Sequence, residues 1–210
     1  MANNGSLDYT IFMPDQLQPI TLIGRAIRLE PLSEAHAPDL TIAGQDETIW
    51  RFMRYGVIRT EDQMLALVRH LLKLQALGTD LPFAVISQKT GQVVGMTRYL
   101  EIQLEHRTLE IGGTWYAAQF RRTATNTESK YLLLRHAFET LGCIRVQFKT
   151  DLRNERSQRA MERIGAQREG VLRSHMLLPD GTLRSSVYYS ILAPEWPTVK
   201  SRLEQMLSRL

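Results

Sequence analysis

The chain has 210 residues, with 26 Lys and Arg against 22 Asp and Glu, which gives a formal net charge of +4. This length fits a single domain with a short extension, and 43% hydrophobic residues are enough to build a core. The only cysteine excludes an internal disulfide, and no apolar run approaches the roughly 18–20 residues that span a membrane. The first residues lack a basic stretch followed by an apolar run, so we expect no signal peptide and a cytoplasmic location.

The first half of the chain begins with polar residues and then alternates strand and helix patterns. Residues 1–20 are predicted to form an arm ahead of one domain, residues 21–210. Residues 22–31 alternate and end at a proline, as one strand would. Residues 61–77 place apolar side chains at helical spacing, and residues 83–100 indicate a hairpin.

The second half alternates strands and helices more strictly. The predicted elements are a strand at 108–116, a helix at 126–141, a strand at 143–150, a helix at 154–164, and two strands near 166–177 and 185–192. The C-terminal stretch has helical spacing and is expected to pack on the body. Early helices, a hairpin and then this alternation predict an α+β fold with a mixed sheet.

The strand at 108–116 carries a candidate functional group. Alternation places Leu109, Ile111 and Trp115 on one face and Glu110 on the other. A lone carboxylate on the face opposite the apolar residues is either a reactive group, a solvent-facing residue or the partner of an arginine.

The loop between this strand and the next helix is basic and begins a helix. Arg121 and Arg122 precede the helix, and Thr125 and Glu128 have the spacing of a capping box. The first turn of a helix has unpaired N–H groups and partial positive charge, which together suit a phosphate. An ordinary capped helix with solvated arginines is the alternative.

At this point the chain resembles a known family. The strand EIGGTWY, the arginine loop, the helix NTESKYLLLRHAFETLG, the strand IRVQFKTD and the segment NERSQRAMERIGAQREGVLR resemble the GNAT superfamily of N-acetyltransferases. The closest resemblance is to the branch of the ribosomal-protein N-terminal acetyltransferases. The combination of Asn154, Ser157 and Gly165 is its most specific part. The resemblance implies a mixed, mostly antiparallel twisted sheet of about seven strands flanked by helices, and acetyl-CoA as the acetyl donor.

The resemblance also implies cofactor-binding residues. These are Trp115 on the strand, Asn154 and Ser157 at the start of the later helix, and the loop residues Arg121, Arg122, Thr123, Ala124, Thr125, Asn126 and Thr127. The family pattern has glycine at the first of two loop positions and glycine or alanine at the second, where this chain has Ala124 and Asn126. Asparagine also caps helices well, so Asn154 has a purely structural alternative.

Acetyl transfer needs a group that takes a proton from the amine and one that gives a proton to the thiolate. Glu110 is the candidate base, with Asp151 as a weaker alternative. Many members of the family use a tyrosine as the acid, but Met161 occupies that place here. The branch that the chain resembles places a serine at Ser157, and this resemblance makes Ser157 the candidate acid. A first-turn hydroxyl that helps to cap the helix is the alternative.

We therefore expect transfer of an acetyl group from acetyl-CoA to a primary amine, by direct attack in a ternary complex. The amine is a peptide N-terminus, an amino acid or a small amine. The alternative is an acyl-CoA-binding protein of the same fold with little or no catalysis. Five scattered histidines predict no metal site, and the sequence predicts neither nucleic-acid nor membrane binding. A homodimer is left open. Residues 34–78 and 176–187 are expected to form the acceptor pocket, with Trp50, Phe52, Tyr55 and His175 as lining or core residues.

Overall fold

A computed structural model describes residues 16–209. Within this range the strands are β1 (Leu22–Ile23), β2 (Ile27–Pro31), β3 (Leu81–Ser87), β4 (Val93–Gln103), β5 (Thr108–Tyr116), β6 (Arg145–Asp151), β7 (Gln167–Leu177) and β8 (Leu183–Leu192). The α-helices are α1 (Ala37–Ala43), α2 (Glu61–Ala76), α3 (Ala124–Arg135), α4 (Glu155–Ile164) and α5 (Trp196–Ser208). Short 3-10 turns include Glu47–Phe52, which lies between α1 and α2.

The eight strands form one sheet in the order β1-β2-β3-β4-β5-β6-β8-β7. Every neighbouring pair is antiparallel except β5 and β6, which are parallel. The predicted α+β class with a mixed, mostly antiparallel sheet is confirmed. The eighth strand arises because the segment predicted as one strand at 22–31 is two.

A tight turn at residues 24–26 divides that segment into β1 and β2. The Glu128 carboxylate accepts hydrogen bonds from the backbone N–H groups of Arg25, Ala26 and Ile27, at 2.7–2.8 Å. A Cβ on Gly24 would lie 2.5 Å from Glu128 Cδ, so the turn also needs a residue without a side chain there. The prediction of one strand was wrong because Glu128, a hundred residues away, holds the turn.

Two apolar clusters lie on the two faces of the sheet. One contains Leu133 of α3, Met161 of α4 and Leu203 of α5, and we call this side the α3 face. The other contains Leu40 of α1 and Met64 of α2, and we call this side the α1 face. The C-terminal helix packs on the body as expected.

Helix α3 begins two residues before the predicted start. Its N-cap is Thr123, whose hydroxyl accepts from the N–H of Thr125. The expected capping box of Thr125 and Glu128 is therefore wrong, because Glu128 points away to the β1–β2 turn. A π-helical turn, His136–Thr140, continues α3 until Gly142 ends it with φ of 63°.

Residues 1–15 of the predicted arm lie outside the described residues. Leu17, also assigned to that arm, is 5% exposed and belongs to the core on the α3 face. Across residues 16–209, no helix is both long and apolar enough to cross a membrane.

Candidate active site

Strands β5 and β6 are joined for only three residue pairs, from Thr108–Arg145 to Glu110–Gln147. Beyond these pairs each strand keeps its outer neighbour, β4 or β8, while no strand among the described residues pairs with the inner edges. We call the diverging region, Ile111–Tyr116 against Phe148–Asp151, the fork. Main-chain N–H and C=O groups along the inner edges can bond an extended ligand, because an unpaired buried backbone group is costly.

A bulge interrupts β5 inside the fork. Arg98 pairs with Gly112, and Met96 with Trp115, so Gly113 and Thr114 together occupy one place in the ladder. Gly113 has φ of 58°, and a Cβ there would approach Arg98 Nε to 2.9 Å. Glycine is thus required both by the backbone angle and by the neighbouring guanidinium.

The bulge changes the face on which the end of β5 packs. Ile111 belongs to the α3-face cluster, whereas Trp115 belongs to the α1-face cluster. There its ring lies 5.2 Å from that of Trp50, centroid to centroid. The prediction that Ile111 and Trp115 share a face was wrong, because the extra bulge residue shifts the alternation by one.

Glu110 lies at the base of the fork and is 2% exposed. Lys149 Nζ lies 3.2 Å from Glu110 Oε2, and Gln147 Nε2 donates to the same oxygen at 3.2 Å. The three side chains share the α1 face, opposite the core residue Phe148. The alternatives of a solvent-facing Glu110 and of pairing with an arginine are both wrong, because the side chain is buried and its partner is a lysine.

A polar chain continues from this ion pair across β8 and β7. Lys149 Nζ lies 5.6 Å from the centroid of the Tyr188 ring, and the Tyr188 hydroxyl is 3.4 Å from His175 Nε2. His175 Nδ1 is 3.0 Å from the Ser186 hydroxyl, which also accepts from Arg184 Nε. Burial, reinforced by the charges of Lys149 and Arg184, lowers the pKa of His175 and favours its neutral form.

The residues expected to line an acceptor pocket have different environments. Trp50 is 2% exposed and is a core residue. Tyr55 lies under the guanidinium of Arg98, and Phe52 is half-buried, with its carbonyl accepting from Arg184 Nη1. His175 and Phe52 therefore lie on the side of the sheet that also carries Glu110.

The two arginines of the loop have different surroundings. Arg121 donates through Nη1 to Asp46 Oδ2 at 2.7 Å and through Nε to the Tyr116 carbonyl at 3.1 Å. It thereby ties the loop to the turn that begins at Glu47. Arg122 is exposed and has φ of 60°. Arg122 is thus the loop arginine whose guanidinium is accessible to a ligand.

The missing glycines of the loop do not obstruct its conformation. Ala124 and Asn126 both lie within the first turn of α3, and neither has a positive φ. The left-handed residue is Arg122 instead, two positions earlier. The side-chain cap binds only the N–H of Thr125, so other first-turn N–H groups keep their outward direction.

The hydroxyls of Thr125 and Thr127 are turned inward. Thr125 is 3% exposed, and Thr127, 1% exposed, accepts from both terminal nitrogens of Arg163 at 3.2 Å. The Thr127 contact joins α3 to α4. Thr123 Oγ1 donates to the Phe120 carbonyl at 2.8 Å. These three threonines shape the loop with their side chains.

Asn154 and Ser157 lie at the start of α4, just beyond the end of β6. Asn154 Oδ1 accepts from the Ser157 N–H at 3.1 Å, so the structural alternative for Asn154, an N-cap, is present. Asp151, the weaker base candidate, is 1% exposed and accepts three hydrogen bonds from Arg153. The backbone N–H donates at 2.9 Å and the guanidinium donates at 3.0 and 2.7 Å. Met161 is buried on the α3 face.

Sequence reasoning missed Lys130 and Lys149. Lys130 Nζ donates to Thr114 Oγ1 at 2.9 Å and lies 5.6 Å from the centroid of the Phe148 ring. Burial lowers the pKa of Lys130 to about 7, and the Glu110 charge opposes that shift in part. The alternation of β6 places Lys149 on the same face as Gln147 and could have indicated its direction. Nothing in the pattern of α3 distinguishes Lys130 from a surface lysine.

The fork, the bulge and the start of α3 adjoin one another, because Lys130 of α3 bonds Thr114 of the bulge and Arg121 of the preceding loop bonds the Tyr116 carbonyl. The sequence profile of the acetyltransferase (GNAT) domain matches residues 26–167. The chain belongs to the GNAT acetyltransferase family, and it is an acetyl-CoA-dependent N-acetyltransferase.

Individual relatives extend the comparison over most of the chain. A candidate acetyltransferase from T. thermophilus is 45% identical, with a TM-score of 0.83 over 91% of this chain and 98% of that one. A GCN5-related N-acetyltransferase from Brucella melitensis is 27% identical, with a TM-score of 0.87 over 94% and 90%. The N-acetyltransferase YoaA of Bacillus subtilis, itself uncharacterised, is 24% identical over 84% of this chain and 98% of its own. RimJ of Mycobacterium smegmatis, solved with CoA-disulfide, shares the fold at 21% identity and a TM-score of 0.77.

Proposed function

We propose that this enzyme acetylates a primary amine (a peptide N-terminus, an amino acid or a small amine) by direct attack in a ternary complex. The observation that carries the proposal is the position of Glu110. It is the last β5 residue paired with β6, at the point where the two strands diverge. An amine that reaches the fork from the α1 face meets a buried carboxylate there.

The fork and the adjoining helix ends fit the proposed cofactor. The inner edges of β5 and β6 provide main-chain groups for its extended arm. The first turn of α3 and the exposed Arg122 provide donors and positive charge for its pyrophosphate. Bound acetyl-CoA supplies an acetyl group activated as a thioester. The side chains of Arg121, Thr123, Thr125 and Thr127 would act by fixing the loop, and Ala124 and Asn126 through their backbone.

In this proposal Glu110 accepts a proton at Oε1 or Oε2, directly or through water, as the amine attacks. Lys149 and Gln147 hold the carboxylate in place. Orientation of the two reactants in the fork supplies a further part of the rate.

A second candidate function is acyl-CoA binding with little catalysis. The observations in its favour are the buried Met161 at the place expected for the acid and the ion pair that occupies Glu110. We also propose that residues 21–210 form a single domain and that the protein is cytoplasmic. It binds neither metal nor nucleic acid in this proposal, and it assembles into a homodimer.

Thiol release from acetyl-CoA over a panel of amino acids, small amines and N-terminal peptides distinguishes these two functions. We expect at least one class of amine to accelerate release, with mass spectrometry identifying the acetylated nitrogen. If acetyl-CoA raises the melting temperature while no amine raises release above background, the binding function is correct.

Glu110→Gln tests the proposed base. We expect kcat to fall about 100-fold while the affinity for CoA changes little, because the loss is one of proton transfer. The matched control is Glu169→Gln, which removes a carboxylate that pairs with Arg145 on the same sheet, outside the fork. Equal turnover of Glu110→Gln and the parent enzyme across pH would remove Glu110 from the mechanism.

A further inference from the structure

Lys130 is a buried lysine at the fork, on the face of the sheet opposite Glu110 and Lys149. Its side chain leaves the second turn of α3, and Nζ bonds Thr114 at the β5 bulge. On the other side of the fork, the Phe148 ring of β6 lies 5.6 Å from Nζ. Both strand residues lie beyond the last β5–β6 pair, so the ammonium group spans the gap between the strands.

This ammonium group lacks a close counter-ion. Within residues 16–209, no carboxylate lies within ion-pair distance of Lys130 Nζ. Strand β5 presents the Thr114 hydroxyl and the more distant Glu110 carboxylate. Strand β4 presents Thr97, whose hydroxyl is 2.7 Å from that of Thr114, and β6 presents only an aromatic ring. A buried cation without a paired anion is costly, and an apolar side chain would fill the same space without that cost.

The absence of a paired anion therefore indicates that the negative charge comes from a ligand. The position of Lys130 on α3 indicates which part of that ligand it contacts. Lys130 is six residues after Ala124, about 9 Å along the helix axis at 1.5 Å per residue. Its Nζ bonds Thr114 at the bulge, so we assign it to a different part of the ligand from a pyrophosphate bound at the first turn. It lies instead beside the bulge, close to the base of the fork, where the proposed reaction generates a thiolate.

We propose that Lys130 Nζ is the proton donor to the sulfur that leaves during acetyl transfer. This inference rests on the proposed function. As the amine nitrogen forms its bond to the carbonyl carbon, the carbon–sulfur bond breaks and its electron pair goes to sulfur. The sulfur takes a proton from Lys130 Nζ, and the proton lost by nitrogen goes to Glu110 or water. Lys130 regains a proton from solvent, so amine and thioester yield amide and thiol.

Two further observations support this role. A pKa of about 7 leaves Lys130 able to give up a proton near neutral pH, as an effective general acid must. The α4 helix, which also covers the α3 face, contributes Met161 to the core there, and methionine has no proton to give. Ser157 remains the competing candidate from the sequence, and its place at the start of α4 does not itself connect it to Thr114 or Lys130.

The first test measures the pKa of the thiol of bound CoA, which needs no turnover. CoA is bound to the parent enzyme and to Lys130→Met, and the ultraviolet absorbance of its thiolate is recorded against pH. The same enzymes with bound desulfo-CoA are the blanks. We expect the bound thiolate population at neutral pH to be about tenfold smaller in Lys130→Met, since a nearby cation favours the thiolate. The control is Lys200→Met, which removes a lysine of α5 that pairs with Glu139 outside the fork. This variant should match the parent.

The second test is kinetic. In the parent enzyme kcat should fall as pH rises through the pKa of Lys130 in the complex, and in Lys130→Met this basic limb should be absent, with kcat about 100-fold lower. Lys130→Arg should keep the low thiol pKa without restoring kcat, because a guanidinium does not release its proton. If the variants do not fold, an NMR titration of the parent's lysine side chains replaces them. The pKa of Lys130 should then rise when CoA binds.

The outcomes separate the two proposals. An unchanged thiol pKa and an unchanged pH profile in Lys130→Met, with normal acetyl transfer, overturn the role of Lys130 alone. In the NMR titration, a Lys130 pKa that is equal with and without CoA also overturns the role of Lys130 alone. Failure of the parent enzyme to bind CoA overturns the proposed function, and the role of Lys130 with it.

Discussion

Two lysines at the fork show how strongly a charge depends on its surroundings. Lys149 lies against Glu110 on the α1 face, at 3.2 Å, where each charge compensates the other. Lys130 lies on the α3 face against a hydroxyl and an aromatic ring. Burial therefore lowers the pKa of Lys130 to about 7 from its ordinary value of 10.5. The two side chains are chemically identical, and only their surroundings in the fold make Lys149 part of an ion pair and Lys130 a buried cation without one.

The depressed pKa of Lys130 has a consequence for stability. Between about pH 7 and 10.5 the unfolded chain binds a proton at this lysine that the folded chain does not. The free energy of unfolding therefore rises with pH across that window. Below the window the lysine is charged in both states, and the folded state has the full free-energy cost of the buried charge. We predict that Lys130→Met is more stable than the parent at pH 6, by at least about 1.4 kcal/mol, the equivalent of one pKa unit.

Urea unfolding at pH 6, 8 and 10 measures this difference. The advantage of Lys130→Met should shrink as the pH rises and disappear near 10.5. A constant difference at all three pH values would show that Lys130 is not a buried charge in the free enzyme.

Several individual site residues could be named from the sequence, but their partners could not. The contacts of Arg121 with Asp46 and of Thr127 with Arg163 join residues 75 and 36 positions apart. Such contacts decide whether a polar side chain faces a ligand or another part of the chain. Local patterns contain no information about them. The accessible arginine, Arg122, was therefore not distinguishable from its neighbour in the sequence.

At the level of elements, Glu128 joins helix α3 to the edge of the sheet. Its carboxylate accepts three backbone N–H groups of the β1–β2 turn, and it is 5% exposed. We predict that Glu128→Gln lowers the free energy of unfolding by about 3 kcal/mol, because the amide removes the charge and one acceptor from buried donors. The free energy is measured by urea unfolding at neutral pH.

The control for this variant is Glu155→Gln, which removes an exposed carboxylate that pairs with Arg159 one helical turn away. Its effect should stay below about 0.5 kcal/mol. Similar effects of the two variants would mean that Glu128 does not hold the turn.

Most elements could be predicted because their signals are local. Periodicity defined α2, α4 and the β7–β8 hairpin closely, and Gly142 and Gly165 marked helix ends where the backbone is left-handed. The two errors in strands, the turn at residues 24–26 and the bulge at Gly113, both depend on tertiary contacts. Glu128 causes the first, and the pairing of β4 with β5 around Arg98 causes the second.

At the scale of the whole molecule, the sheet separates the two proton transfers of the proposed reaction. Glu110, Lys149 and His175 lie on the α1 face, where the amine would arrive. Lys130 lies on the α3 face, with the helices that would hold the cofactor in the proposed function. Both sets of side chains lie at the parallel pair β5–β6, which diverges after three residue pairs. This division accounts for the two buried lysines and for their different partners.

Amide hydrogen exchange with and without acetyl-CoA tests this account most directly. The account predicts slower exchange in three places: β5 beyond Glu110, β6 beyond Gln147, and the first turn of α3. The exposed edge strand β7 should exchange equally in both states and is the internal control. Protection confined to other segments, with the fork unchanged when acetyl-CoA is bound, would contradict the account.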